Sequence, residues 1–177
     1  LELKNQSYME MNLNIDEGRV IPKPDLIAKI VLNINLKDNE NVLILGSTTG
    51  YLAAILSYHA QTVIVVEENK KLLEASEKSI KENNINNVVF FNNEIAKGCH
   101  EQSPFNAIII EGAVEEVPKN IVDQLENGGR MIAIISDNGA CTAKMHKKRG
   151  LSISTSKLFN CSIPVLNSFK VKNSFSF

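Results

Sequence analysis

From residue 24 onward, short and fully apolar runs alternate with stretches whose apolar positions recur at helical spacing. Pro24 suits the first position of a helix, and Leu26, Ile27, Ile30, Val31 and Ile34 form one apolar stripe behind it. Val42–Leu45, Val63–Val66, Asn87–Phe91, Phe105–Glu111 and Arg130–Ser136 read as strands. Between them, Tyr51–His59 and Asn69–Asn83 read as helices, the second with Leu72, Leu73, Ser76 and Ile80 on its inner face. Pro118–Leu125 reads as a short helix closed by Asn127-Gly128-Gly129. Strands apolar on both faces imply a parallel sheet covered on both sides. After the Asn138-Gly139 turn signal the pattern changes to two strand-like stretches, Cys141–His146 and Leu151–Phe159. The fold class is therefore α/β, a doubly wound and mostly parallel sheet with an antiparallel C-terminal β addition, in a single domain over 1–177. Residues 1–23 are polar and mixed, and the prolines at 22 and 24 forbid a helix interior there.

Composition narrows the function classes. The 177 residues carry a net charge of −1, so the chain is not a broadly basic nucleic-acid binder. No apolar run approaches the roughly 18 residues of a membrane helix. Three cysteines, Cys99, Cys141 and Cys161, are odd in number and lack CxxC spacing, which indicates reduced thiols, a cytoplasmic chain and no metal site. The chain begins at Leu1 with no signal-peptide pattern and reads as a trimmed or partial sequence.

In an open parallel sheet, ligands bind at the carboxyl ends of the strands where strand order reverses. The first strand-to-helix turn reads Gly46-Ser47-Thr48-Thr49-Gly50-Tyr51, and Glu67 follows the second strand, twenty-one residues after Gly46. An acid at that spacing can accept from both hydroxyls of a ribose. Tyr51 excludes a phosphate-cradling P-loop, and Thr48 with Tyr51 breaks the dinucleotide pattern G-x-G-x-x-G. The S-adenosylmethionine pattern G-x-G-x-G keeps Gly46 and Gly50 and loses its middle glycine to Thr48. A glycine turn without a ligand is the other reading of these residues.

The run Val42-Leu-Ile-Leu-Gly-Ser-Thr-Thr-Gly-Tyr-Leu-Ala-Ala54 resembles the first motif of the protein-L-isoaspartate O-methyltransferase family. Pro104-Phe-Asn-Ala-Ile-Ile-Ile110 and Asp123-Gln-Leu-Glu-Asn-Gly-Gly-Arg130 resemble that family's later motifs. Gly112–Pro118 and Leu158–Leu166 look closest to a divergent alphaproteobacterial branch of it. The resemblance runs from about residue 15 to the end, without the family's helical N-terminal segment. It implies a Rossmann-like, class I S-adenosylmethionine-dependent methyltransferase that acts on isoaspartyl residues of damaged protein. Carried over by position, Gly46, Ser47, Thr48 and Gly50 would lie under the methionine part of the cofactor. Glu67 would bind the ribose, with Glu68 beside it, and Asn93 and Glu94 would lie near the adenine. Glu111, closing the fourth strand, would stand nearest the transferred methyl.

Five positions depart from the family pattern, among them Ile44 and Asn106, which stand where the family commonly has an acid. Its substrate loop aligns with Gly18-Arg19-Val20-Ile21-Pro22-Lys23-Pro24, where Val20 and Pro22 replace two hydroxyl residues. Thr48 places a β-branched side chain where a glycine would tolerate positive φ or a close ligand. These changes leave two further readings: a non-catalytic relative, or a methyltransferase with another acceptor. His59, His100 and His146 are scattered and read as non-ligands. Lys144–Arg149 reads as a solvated hairpin tip, and without interleaved aromatics it indicates no nucleic-acid site.

Overall fold

The computed structural model describes residues 12–16 and 18–170, with Asp16 described in its backbone only. The expected absence of an N-terminal helical segment concerns residues outside this range. The central sheet contains β3 (Asn41–Leu45), β4 (Thr62–Glu67), β5 (Val88–Asn92), β6 (Phe105–Val114), β7 (Leu125–Asp137), β8 (Ala140–Arg149) and β9 (Ser152–Cys161). Their spatial order is β5-β4-β3-β6-β7-β8-β9. The first five run parallel, while β8 and β9 are antiparallel to their neighbours. This is the expected architecture. The chain winds outward from β3 through β4 to β5, then returns to β6 on the other side of β3, so strand order reverses between β3 and β6.

Alternation along the apolar strands builds two cores, one on each face. Val42, Ile44, Val63, Val65, Ala107 and Ile109 pack on one face with α1 (Pro24–Ile34), α2 (Tyr51–Ser57) and Ile80 of α3 (Lys70–Glu82). Leu43, Leu45, Ile64, Val66, Ile108 and Ile110 pack on the other face with Ile121 of α4 (Lys119–Asp123), Ile95, Leu166 and Phe169. The α3 helix starts as its sequence suggests: Asn69 Oδ1 accepts from the backbone N–H groups of Lys71 and Leu72.

Two local expectations are corrected and one element is new. The helix before Gly128 ends at Asp123, and residues 125–129 belong to β7. Leu125 already pairs with Phe105, and the register shifts before Ala107 pairs with Arg130. A Cβ at Gly129 would lie 2.9 Å from Glu126 O and 3.0 Å from Phe105 O, so the glycine permits a close backbone approach inside an irregular strand and does not cap a helix. Second, Lys144–Arg149 is not a hairpin tip but part of β8, paired with both neighbouring strands. Its residues alternate, Met145 is buried, and Lys148 Nζ donates to Leu125 O at 2.7 Å. The turn falls at Gly150 and Leu151. Third, β1 (Leu13–Asp16) and β2 (Arg19–Ile21) form a small antiparallel sheet of their own, which the mixed polarity of residues 1–23 did not reveal.

The C-terminal segment folds back over the carboxyl end of β6. Leu166 N–H donates to Ala113 O at 2.9 Å, and Ala113 N–H to Pro164 O at 3.0 Å. Gly112 makes this docking possible: a Cβ there would meet three carbons of the Leu166 side chain at 2.5 to 2.8 Å. Gly112→Ala is therefore expected to destabilise the fold by about 1–3 kcal/mol through overpacking. Adding Leu166→Ala should return part of that loss, and denaturant unfolding of the two single variants and the double variant measures the coupling.

Candidate active site

The carboxyl ends of β3, β4 and β6 converge at the strand-order reversal. The loop after β3 is shaped by two glycines in the left-handed region, Gly46 at φ +86° and Gly50 at φ +74°. Gly46 N–H donates to Val66 O at 2.9 Å, which ties the loop to β4. Thr48 does not share their positive φ, so the expected backbone conflict of a β-branched residue there does not arise. Its hydroxyl instead donates to Glu111 Oε1 at 3.1 Å, and both side chains are buried.

Glu111 lies where β6 and β7 lose register, between Ile109 and Ala113. Such an irregularity re-aims a side chain at the end of a strand. Burial pushes its carboxyl up to about 7, against the lowering effect of the Thr48 hydrogen bonds and of the Arg19 charge. Glu111 Oε2 makes no hydrogen bond among the described residues, and neither does the buried Ser47 hydroxyl. Ser47 and Glu111 thus each bring a buried polar atom without a partner among the described residues to the switch point.

Glu67 closes β4, and its side chain is fully buried. No motif or spacing points to its partner. Arg19, on the small β1–β2 sheet, donates from Nη1 to Oε1 at 3.0 Å and from Nη2 to Oε2 at 2.8 Å. Asn69 N–H adds a bond to Oε1 at 2.8 Å, and Arg19 Nη2 also donates to Gly46 O. In the stretch aligned with the family's substrate loop, Val20 faces the core and Pro22 is buried, so Arg19 is the side chain that reaches the site. Glu68 accepts from Ile95 N–H at 3.3 Å and from the Ser168 hydroxyl. Arg19, Glu68, Asn69, Ile95, Leu166 and Asn167 line a cavity of about 210 Å³. Asn93 and Glu94 are exposed beside it and do not line it; Glu94 pairs with Lys97 at 2.8 Å.

The residues fit an S-adenosylmethionine-type cofactor in kind: a glycine cradle, an acid at the end of the second parallel strand, and unpartnered polar atoms between them. No group of three or more His, Cys, Asp or Glu side chains is placed to hold a metal among the described residues. His59 and His100 are exposed, and burial lowers the pKa of His146, whose Nδ1 lies 3.0 Å from the Thr155 hydroxyl. Burial raises the thiols of Cys99 and Cys161, the latter to about 11, so neither is an activated nucleophile. No helix among the described residues is long and apolar enough to cross a membrane.

Residues 1–168 match the family model described as Protein-L-isoaspartate(D-aspartate) O-methyltransferase, which begins ahead of the first recognisable motif. A protein-L-isoaspartate O-methyltransferase of Parvibaculum lavamentivorans is 34% identical over 137 residues, covering 77% of this chain and 62% of that protein. One of Vibrio campbellii is 31% identical over 153 residues, covering 86% and 74%. A solved protein-L-isoaspartate O-methyltransferase superposes with a TM-score of 0.80 at 27% identity, over 90% of this chain and 53% of that one. A Plasmodium falciparum structure, described as a complex of such a protein with S-adenosyl-L-homocysteine, shares the fold with a TM-score of 0.74 at 23% identity, over 91% and 82%. The chain thus spans less than two thirds of the length of some relatives that it matches. By the extent of the family match and the identity to these relatives, the chain belongs to the protein-L-isoaspartate O-methyltransferase family.

Proposed function

We propose that this chain is an S-adenosylmethionine-dependent methyltransferase, a single cytoplasmic domain that transfers a methyl group to the carboxylate of an isoaspartyl residue in damaged protein. The observation that carries this reading is the convergence of the Gly46–Gly50 loop, Glu67 and Glu111 at the strand-order reversal. Gly46, Ser47, Thr48 and Gly50 would hold the methionine part, and Glu67 with Glu68 the ribose side. Asn93 and Glu94 would border the adenine from the loop after β5. When bound there, the cofactor would supply an electrophilic methyl on a sulfonium, which an acceptor carboxylate oxygen would take up while the electron pair of the S–C bond stayed on sulfur. A carboxylate is already ionised at neutral pH, so no general base is needed. The protein's contribution is alignment and exclusion of water, and alignment of this kind is worth roughly 7–11 kcal/mol of barrier.

Calorimetric titration with S-adenosylhomocysteine, with NAD as control, tests the reading. Binding at micromolar affinity, about −8 kcal/mol, is expected. Absence of binding at millimolar ligand, both in the wild type and in an Arg19→Gln variant that uncovers Glu67, overturns it.

A further inference from the structure

Arg19 occupies the positions that a ribose on Glu67 would need. A carboxylate offers about four acceptor sites. Arg19 takes one on each oxygen and Asn69 N–H takes a second on Oε1, so only Oε2 keeps a site. Two vicinal hydroxyls cannot both bond to Glu67 while the guanidinium stays. Nor is there a path around it: the Glu67 side chain is 0% exposed and Arg19 covers it at 10%. The same guanidinium covers the loop, because a Cβ at Gly46 would lie 3.4 Å from Arg19 Nη2. The cavity that remains, about 210 Å³, is smaller than the roughly 300–1,000 Å³ of small-molecule sites.

The displaced guanidinium has a restricted choice of destination. Among the described residues the three-residue β2 pairs with β1 and not with the central sheet, so Arg19 can swing without unpairing that sheet. It keeps its charge and its fork of donors, which match a carboxylate. An acceptor carboxylate arriving at this end of the sheet meets the buried Glu67 and needs a cation to hold it. Among the described residues that line the cavity, Arg19 is the cation. Its neighbours cannot serve: Val20 packs in the core and Pro22 has no N–H.

We propose that Arg19 is the ligand for the acceptor carboxylate, exchanging between Glu67, where it lies in this structure, and the substrate once ribose hydroxyls take its place on Glu67. This rests on the methyltransferase reading and adds to it a residue for acceptor recognition. It also orders the binding events, because the acceptor finds its cation only after the nucleoside has released it. The guanidinium faces a carboxylate at both stages, and the ribose hydroxyls replace on Glu67 the hydrogen bonds that Arg19 gives up.

The test is a pair of titrations on the wild type, Arg19→Gln and Arg19→Lys: S-adenosylhomocysteine into the free protein, then an isoaspartyl peptide into that complex. Gln keeps one donor for Glu67 but has no charge. Its expected signature is a tenfold or greater gain in nucleoside affinity together with a tenfold or greater loss in peptide affinity. Partial unfolding would weaken both. Lys keeps the charge without the fork and should gain nucleoside affinity while holding part of the peptide affinity, which provides a reading if the Gln variant does not fold. In the wild type, the peptide should bind at least tenfold more weakly without the nucleoside than with it. Unchanged or weakened nucleoside affinity in both variants, with the wild type binding, overturns the exchange and leaves the methyltransferase reading intact. Unchanged peptide affinity overturns the acceptor role. Failure of every form to bind the nucleoside overturns the reading beneath both.

Discussion

Glu67→Ala is expected to reduce S-adenosylhomocysteine affinity by at least a hundredfold, from micromolar to about 100 μM or weaker. Hydrogen bonds to a charged group contribute about 1.5–3 kcal/mol each, and the ribose would lose two. The cost to the fold should be smaller than the usual loss of about 3–5 kcal/mol for breaking a buried ion pair. The partner left behind is Arg19, which sits on a peripheral two-stranded sheet and can reach water. Arg19→Gln lies on the other side of the same pair and should move nucleoside affinity in the opposite direction. Calorimetry measures both, and a thermal melt of each variant separates loss of binding from loss of fold. Affinity of Glu67→Ala within threefold of the wild type would remove Glu67 from the ribose site.

The contrast between those two variants also marks what the sequence could reveal. The five parallel strands were legible because each is an apolar run, and four of them, β3, β4, β6 and β7, lie inside the sheet with both faces covered. The position of Gly46, Gly50 and Glu67 at the strand-order reversal was legible because the spacing puts them just after β3 and at the end of β4. Arg19 was not legible. It is 48 residues from Glu67, on a three-residue strand with no periodicity, and its role comes from a tertiary contact. Thr48 and Glu111, 63 residues apart, are the same kind of case. In the sequence Thr48 breaks a glycine motif, and in the fold its hydroxyl holds the buried acid. The errors at 125–129 and 144–149 came from local signals, Gly-Gly and a basic run, that were overridden by strand pairing.

Glu111 should also make the stability of the fold fall as pH rises through neutrality. Its carboxyl titrates near 7 in the folded chain and near 4.5 when unfolded, because burial penalises the charge more than the Thr48 hydrogen bonds and Arg19 relieve it. Between those values the folded chain binds the proton more tightly than the unfolded chain does. The stabilisation is fully present below about 4.5, declines across that interval and is lost above about 7, a total of about 3 kcal/mol. Glu111→Gln keeps the shape and a partner for Thr48 but cannot ionise. Its stability should therefore exceed that of the wild type by up to about 3 kcal/mol at pH 8, with the gap closing towards pH 5. His146 works in the opposite direction, since burial lowers its pKa and its protonation on acidification favours the unfolded chain. That contribution is common to both proteins and cancels in their difference. Urea unfolding of the two at pH 5, 6.5 and 8 is the measurement, and a pH-independent difference would show that Glu111 is ionised in the fold. An acid that keeps its proton near neutrality also suits this position chemically: it can stand beside an acceptor carboxylate without repelling it, and leaves Arg19 as the charged group that draws the acceptor in.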